Sequence, residues 1–176
     1  NAPRYDRLIQ YRQGKLRFAE WYYGPMLWRM HSLQVTHSRK NKLYDESRFI
    51  AGYQDYAESR VDRTRANNIQ NTQSEKVNAF NVNWDAHKTL SKGQLFYGLE
   101  YVYNKVGSTG FKTDIISGDK SPYVSRYPDG ATWSTMGLYG SYKVNLNHKL
   151  TFLTGVRYSY NTLHAAFDTT FIKFPY

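Results

Sequence analysis

Apolar and polar residues alternate along the segment "LTFLTGVRYSYN", residues 150–161. One parity is mostly apolar and aromatic, and it holds Leu150, Phe152, Thr154, Val156, Tyr158 and Tyr160. The other parity is small or polar apart from Leu153. Because successive strand residues point to opposite faces, the pattern predicts a β-strand with one apolar and one polar face. The apolar face could contact a second sheet in a soluble sandwich, or lipid in a membrane barrel.

The same alternation recurs upstream, in "NAFNVNWDAH", "GQLFYGLEYVYNK" and "WSTMGLYGSYKVNLN". Two weaker strand candidates precede these segments, namely "SLQVTH" and "SRFIAGYQDY". Residues 1–25 are rich in Arg and Tyr, and we expect them to form loop with some strand character. The chain is therefore predicted to be all-β, with about six antiparallel strands over residues 1–176.

The predicted connections alternate in length. Short polar turns fall near 38–43, 87–93 and 147–149, whereas long loops are predicted at 57–75, at 105–132 and in the final "LHAAFDTTFIKFPY". Long loops in compact domains are often functional. A short–long alternation is typical of up-and-down transmembrane barrels, whose two ends face different compartments.

Strand length and aromatic placement favour a transmembrane β-barrel over a soluble sheet. The best alternating segments run for about ten residues, the length of a membrane-spanning strand. Four tyrosines lie toward the long-loop ends of their strands, where an interfacial aromatic girdle is expected: Tyr101, Tyr103, Tyr158 and Tyr160. The alternative interpretation is ordinary cross-strand aromatic packing in a soluble sheet.

Composition narrows the possible partners. The 176 residues carry 24 Lys and Arg against 14 Asp and Glu, a formal net charge of +10. The basic residues are spread along the chain and interleaved with acidic ones, as in "ESRVDRTR", so nucleic acid is not a predicted partner. No run of about 18 apolar residues is present, which excludes a transmembrane helix. The absence of cysteine excludes disulfides and thiolate chemistry.

No motif in the sequence predicts catalysis, a metal or a cofactor. The five histidines show no H-E-x-x-H or comparable spacing, and His87 and His148 are predicted to be exposed in short turns. Asp55, Glu58 and Asp62 lie among arginines, so we expect a salt-bridged loop rather than a pair of catalytic carboxylates. The protein is not predicted to be an enzyme.

Several segments together resemble the barrel region of TonB-dependent outer-membrane receptors of the Bacteroidetes type. The most specific is the succession "GLEYVYNKV", "RYPDG" and "LTFLTGVRYSY"; "RLIQYRQGKLRFAEWYYGP", "YQDYAESRVDRTRANNIQNTQSEKV" and "FDTTFIKFPY" also contribute. The resemblance implies an outer-membrane location and a barrel of about 22 strands around a plug domain. Because plug, TonB-contacting segment and barrel ends are not recognised here, we expect the chain to be a middle part of the barrel.

The resemblance further implies TonB-coupled uptake of a scarce ligand such as an iron chelate, cobalamin or an oligosaccharide. Implied partners are the imported ligand, outer-membrane lipid and lipopolysaccharide, and the TonB complex through the plug. Candidate ligand-binding residues are aromatic and basic side chains expected near the outer vestibule: Trp21, Tyr22, Tyr23, Arg60, Arg63, Arg65, Tyr123, Arg126 and Tyr127. A second hypothesis is a soluble all-β binding module of the adhesin or carbohydrate-binding type.

Overall fold

The structure, a computed structural model, describes residues 2–170. Its strands are β1 Ala2–Pro3, β2 Tyr11–Arg12, β3 Lys15–Leu16, β4 Phe18–Tyr23, β5 Leu27–Ser38, β6 Glu46–Thr64, β7 Ile69–Leu90, β8 Gly93–Asp114, β9 Lys120–Pro122, β10 Thr132–Asn145 and β11 Thr151–His164, and one helical turn, α1, spans Tyr5–Leu8. Every strand pairing is antiparallel. The predicted all-β antiparallel fold is therefore confirmed.

The main sheet is an antiparallel meander of six lines, where a line is one long strand or two strands that lie end to end. β4 and β5 lie end to end along one edge of β6, and β9 and β10 lie end to end along one edge of β8. The order across the sheet is β4/β5, β6, β7, β8, β9/β10 and β11, and the two-residue β1 pairs with β4 outside the first line. The first line breaks at Gly24-Pro25, where the Gly24 N–H still donates to the Ser59 carbonyl at 2.8 Å. Proline has no N–H to give a ladder, so it is tolerated at such an interruption.

The strand register places the apolar parity of all six lines on one side, here called the apolar face. One row across the sheet consists of Val35, Phe49, Trp84, Leu99, Leu138 and Tyr158, and the next of Leu33, Ala51, Val82, Tyr101, Met136 and Tyr160. Much of this face is uncovered: Leu138 is 47% exposed and Val156 76%. Within residues 2–170 the only other sheet is the two-stranded β2–β3.

The opposite side, here called the polar face, is held by side-chain hydrogen bonds between strands. The Tyr139 hydroxyl donates to Asp85 across Gly98, and Arg157 pairs with Glu100. Gly98 makes room for the first contact, because a Cβ there would lie 2.4 Å from the Tyr139 hydroxyl oxygen. The sheet thus has one apolar side and one side on which polar side chains form hydrogen bonds between strands.

The prediction of two long loops between strands is largely wrong. β6 and β7 continue through 57–75 and leave only the turn 65–68, while β8 runs to Asp114 and leaves 115–119 and 123–131 as irregular segments of 105–132. These strand extensions carry Ser, Thr, Asn, Gln and charged residues on both faces. Alternation is lost when both faces are polar, so the pattern could not reveal them.

The short turns are confirmed and lie together. Turns 39–45, 91–92 and 146–150 share one end of the sheet, here called the short-turn end, while 65–68 and 115–131 share the opposite loop end. His148 is exposed in its turn as predicted, but His87 is not in a turn. It lies half-buried in β7 and stacks on Phe96 with ring centroids 4.8 Å apart.

Strand character in the N-terminal segment is stronger than expected where Trp21–Tyr23 form part of β4. At the other terminus, β11 ends at His164 and residues 165–170 follow without strand. The remainder of the predicted terminal loop, 171–176, lies outside the described residues.

Candidate functional site

The loop-end half of the polar face gathers aromatic and basic side chains around Trp21. The indole is 8% exposed, and the ring of Tyr23 meets it edge-on at 5.1 Å. The guanidinium carbons of Arg4, Arg7 and Arg60 lie 5.6, 5.9 and 5.8 Å from the indole centroid. Each such cation–π contact contributes about 0.5–1 kcal/mol at an exposed site. We call this group the Trp21 cluster.

Only part of this positive charge is neutralised. Arg4 donates to both Asp6 oxygens at 2.7 Å, and this contact lowers the pKa of Asp6. Arg60 instead donates to the neutral Gln73 amide oxygen at 2.6 Å. The Trp21 cluster therefore holds a guanidinium, that of Arg60, which has no carboxylate partner within residues 2–170. Such a guanidinium suits an anionic ligand group.

Residues 123–131, here called the covering loop, fold back across the polar face. The Val124 carbonyl accepts from the Gln73 amide at 2.9 Å, and Asp129 accepts from the Ser108 N–H at 2.8 Å. The loop crosses β8 at Gly110, where a Cβ would lie 2.5 Å from the Val124 carbonyl oxygen. Glycine at 110 thus permits the close approach of loop and strand.

The covering loop is fastened by Arg126, which donates to the Glu58 carboxylate at 3.0 Å. Glu58 also accepts from the Tyr56 hydroxyl at 2.6 Å, which raises the pKa of Tyr56 to about 12. Glu58 and Arg126 are 68 residues apart in the chain, so this contact closes a long-range link between β6 and the loop.

Beneath this link lies a second carboxylate, Glu75, which pairs with Glu58 in the strand register. It is 4% exposed, and neither carboxylate oxygen has a hydrogen-bond partner among the described residues. Burial raises the pKa of Glu75, Glu58 raises it further, and the nearby Arg126 and Arg60 oppose the rise. An unpartnered buried carboxylate destabilises the closed arrangement once it ionises.

The two glutamates predict opposite effects on the covering loop. The cost of burying Glu75 is absent below its ordinary pKa of 4.5 and grows as the pH rises above it. At pH 7.5 we therefore expect Glu75→Gln to slow trypsin cleavage after Arg126 by at least about fivefold, since the neutral amide avoids the cost of burying an ionised carboxylate, which exceeds the about 1–3 kcal/mol of an unsatisfied neutral group. Glu58→Gln removes the ion pair and should speed the same cleavage about two- to fivefold. Equal rates in both variants and the parent protein would contradict this description of the loop.

The sequence-predicted ligand residues do not all share one surface. Trp21, Tyr23 and Arg60 lie together on the polar face, whereas the register turns Tyr22 and Arg63 toward the other side. Arg63 donates to Glu20 at 2.8 and 3.2 Å, and this pairing, with a bond from Gln70, lowers the pKa of Glu20. Arg63 is thus engaged within the protein.

The remaining predicted residues lie at the loop end. Arg65 is exposed in turn 65–68, and its N–H donates to the Arg17 carbonyl at 3.0 Å. The ring of Tyr123 lies under Lys112 at 5.0 Å, and that of Tyr127 lies 5.2 Å from the Arg126 guanidinium. Tyr127 is 45% exposed, so it is the aromatic side chain of the covering loop that is open to a ligand.

Sequence reasoning missed Arg4, Arg7 and Glu75, because their roles depend on contacts between distant segments. It placed Asp55, Glu58 and Asp62 in a loop, but all three lie in β6. Their expected pairing with basic residues is confirmed for two of them: Asp55 contacts Arg29, and Glu58 contacts Arg126. Asp62 instead accepts from Asn71 at 3.0 Å.

No group of three or more His, Cys, Asp or Glu side chains within residues 2–170 is arranged to hold a metal ion. In the same part of the chain, no helix has the length and apolar character needed to cross a membrane. Comparison of the chain with protein-family models gives no match, and comparison with curated protein sequences gives none either.

Proposed function

We propose that this chain forms part of the wall of a transmembrane β-barrel in an outer-membrane receptor that takes up a scarce ligand. The observation that carries the proposal is the continuous apolar face, to which all six strand lines contribute in register. An isolated soluble protein rarely leaves so large an apolar surface uncovered. A lipid bilayer covers such a face without a second layer of protein.

The dimensions of the apolar face fit a bilayer. On β8 it extends from Leu95 to Tyr103, nine residues, which is close to the about 9–11 residues of a tilted membrane-spanning strand. Its loop-end border carries aromatic rings in register, namely Tyr53, Phe80 and Tyr103. Interfacial aromatic girdles occupy this position in outer-membrane barrels. The polar face would then line the barrel interior.

The strands extend well past this band. β8 has 22 residues, about 70 Å of extended chain, so its part beyond Tyr103 would project on the loop side. The Trp21 cluster and the covering loop both lie on the inner surface of this projection. We propose that they contact the ligand before transport, with the exposed Tyr127 ring of the covering loop stacking on it and Arg60 meeting an anionic group.

Coupling of transport to the TonB complex through a plug domain is also proposed, on the resemblance alone. The second candidate function, a soluble binding module, would require another protein layer over the apolar face. The ligand classes proposed, also on the resemblance, are iron chelates, cobalamin and oligosaccharides.

Quenching of Trp84 by brominated phosphatidylcholine tests this function. Trp84 lies on the apolar face, whereas Trp133 lies on the polar face, paired with Asn104. Two variants of the full-length protein keep one of these tryptophans each and replace every other tryptophan with Phe. In vesicles we expect strong acyl-chain quenching of Trp84 and weak quenching of Trp133. Weak quenching of both in the folded protein would favour the soluble module.

A further inference from the structure

Two lysines lie just beyond the aromatic loop-end border of the apolar face. Lys105 follows Tyr103 by two residues on β8, and Lys76 precedes Phe80 by four on β7, so both have the parity of the apolar face. Lys76 pairs with Gly107 in the register, and a Cβ at 107 would lie 3.9 Å from the Lys76 Cβ. Both lysines are therefore on the same side of the sheet as the aromatic border, opposite to the polar face.

The two lysines are diagonal neighbours on adjacent strands. The register pairs Lys76 with Gly107 and Lys105 with Asn78, so each lysine lies two residues from the partner of the other. Diagonal neighbours are about 7–8 Å apart, a separation that two long side chains can span to reach one anion. Asn78 lies between them, and its side-chain oxygen accepts from the Tyr53 hydroxyl at 3.0 Å. The amide N–H groups of Asn78 have no partner within residues 2–170, so they can donate to the same anion.

The positive charge of the two lysines is not matched by the protein. Lys76 and Lys105 are exposed, and neither has an ion pair within residues 2–170. The Asp55 carboxylate of the neighbouring strand is 6% exposed and is already paired with Arg29. The Asp129 carboxylate accepts a backbone N–H at 2.8 Å and forms no ion pair with either lysine. An anion from outside the protein can therefore neutralise this charge.

The surroundings of Lys76 leave room for a bulky polar group. Lys76 is flanked in the register by Ala57 and Gly107, which have no long side chains. The next row toward the loop end carries three hydroxyl groups, those of Ser59, Ser74 and Thr109. All of these residues help to line a groove of about 530 Å³. Hydroxyl groups both donate and accept hydrogen bonds, so they suit a lipid headgroup that carries polar substituents beside its phosphate.

We propose that Lys76, Lys105 and Asn78 bind a phosphate group in the headgroup of a membrane lipid, whose acyl chains lie against the apolar face. The proposal rests on the proposed function, since it assumes that this face contacts lipid. An aromatic border marks the level at which acyl chains give way to headgroups. Lysines at that level attract anionic lipid. A lipid is favoured over free phosphate, because only a lipid also covers the adjoining apolar face.

Native mass spectrometry of the detergent-solubilised full-length protein tests the site. The probes are lipid A, the phosphate-bearing lipid of lipopolysaccharide, and phosphatidylcholine, which has no net charge. The parent protein should retain lipid A in preference. Each lysine near a membrane surface contributes about fivefold, so K76Q/K105Q should lose about 10- to 30-fold in apparent affinity for lipid A. The control K112Q/K143Q removes the same charge from the polar face and should bind lipid A like the parent protein.

Equal retention of the two lipids by the parent protein, or equal losses in the two double variants, would overturn the proposal. So would displacement of lipid A by an equal concentration of inorganic phosphate, because the apolar face would then contribute nothing. Quenching of Trp84 in vesicles keeps the two claims apart. If Trp84 is quenched but lipid A is not preferred, the barrel function stands and the headgroup site falls. If Trp84 is not quenched, both fall.

Discussion

Leu99→Arg should destabilise the folded protein in lipid vesicles by about 2–4 kcal/mol, the cost of an arginine on the lipid face near the bilayer midplane. Leu99 lies in the middle of the apolar band, between Trp84 and Leu138 in neighbouring strands. A guanidinium at this position must leave water or distort the bilayer. The free energy of unfolding, measured by denaturant titration in vesicles, reports the loss.

Two matched substitutions serve as controls for Leu99→Arg. Val102→Arg adds the same side chain three residues further along β8, but on the polar face, beside Asn81 and Thr135. It should cost well under 1 kcal/mol. Leu150→Arg, on the apolar border at the short-turn end, should cost only about 0–1 kcal/mol, because the penalty falls toward the bilayer interface. Equal losses for Leu99→Arg and Val102→Arg would show that the two faces are not different environments.

Gly98→Ala should cost about 1–3 kcal/mol of stability, the usual penalty for overpacking. An added Cβ would lie 2.4 Å from the Trp84 carbonyl oxygen and 2.4 Å from the Tyr139 hydroxyl. The backbone oxygen cannot rotate away, so β7 and β8 must shift. The Tyr139 ring must also leave Asp85. Denaturant titration measures the loss.

Gly140→Ala is the matched control in the adjacent strand β10. A Cβ at 140 would meet only the Phe96 carbonyl oxygen, at 3.9 Å, which is ordinary contact distance. This substitution should be neutral or stabilising by up to about 1 kcal/mol, because alanine restricts the unfolded chain. If Gly140→Ala is as harmful as Gly98→Ala, the cost comes from losing glycine in a strand and not from the crossing of Tyr139 over Gly98.

The alternating segments predicted the sheet well because each strand carries its own signal. In "LTFLTGVRYSYN" and "GQLFYGLEYVYNK" the apolar parity of the sequence is the apolar face of the structure. The register between strands was not predictable from one segment. The register follows from the turn lengths and from the need to bring the apolar residues of every strand to the same face. A shift of one residue would move all apolar side chains of a strand to the opposite face.

The loop-end half of the molecule could not be predicted to the same extent. β6 and β7 remain strands through Ser59 and Ser74, although both of their faces are polar there. The burial of Glu75 depends on the covering loop, whose Val124 meets Gln73 from 51 residues away. Local patterns carry no information on such contacts. The aromatic and basic residue types did point to Trp21 and Arg60, but not to the arginines that join them.

The most direct test of the central claim, that the apolar face contacts lipid, is cysteine reactivity along β8. The 176 residues contain no cysteine, so single cysteines at positions 99 to 104 can be compared in vesicles in a full-length protein from which any cysteine outside this chain has been removed. With a membrane-impermeant maleimide we predict fast labelling at 100, 102 and 104 and slow labelling at 99, 101 and 103. Labelling without alternation, or faster at the odd positions, would contradict a lipid-facing sheet.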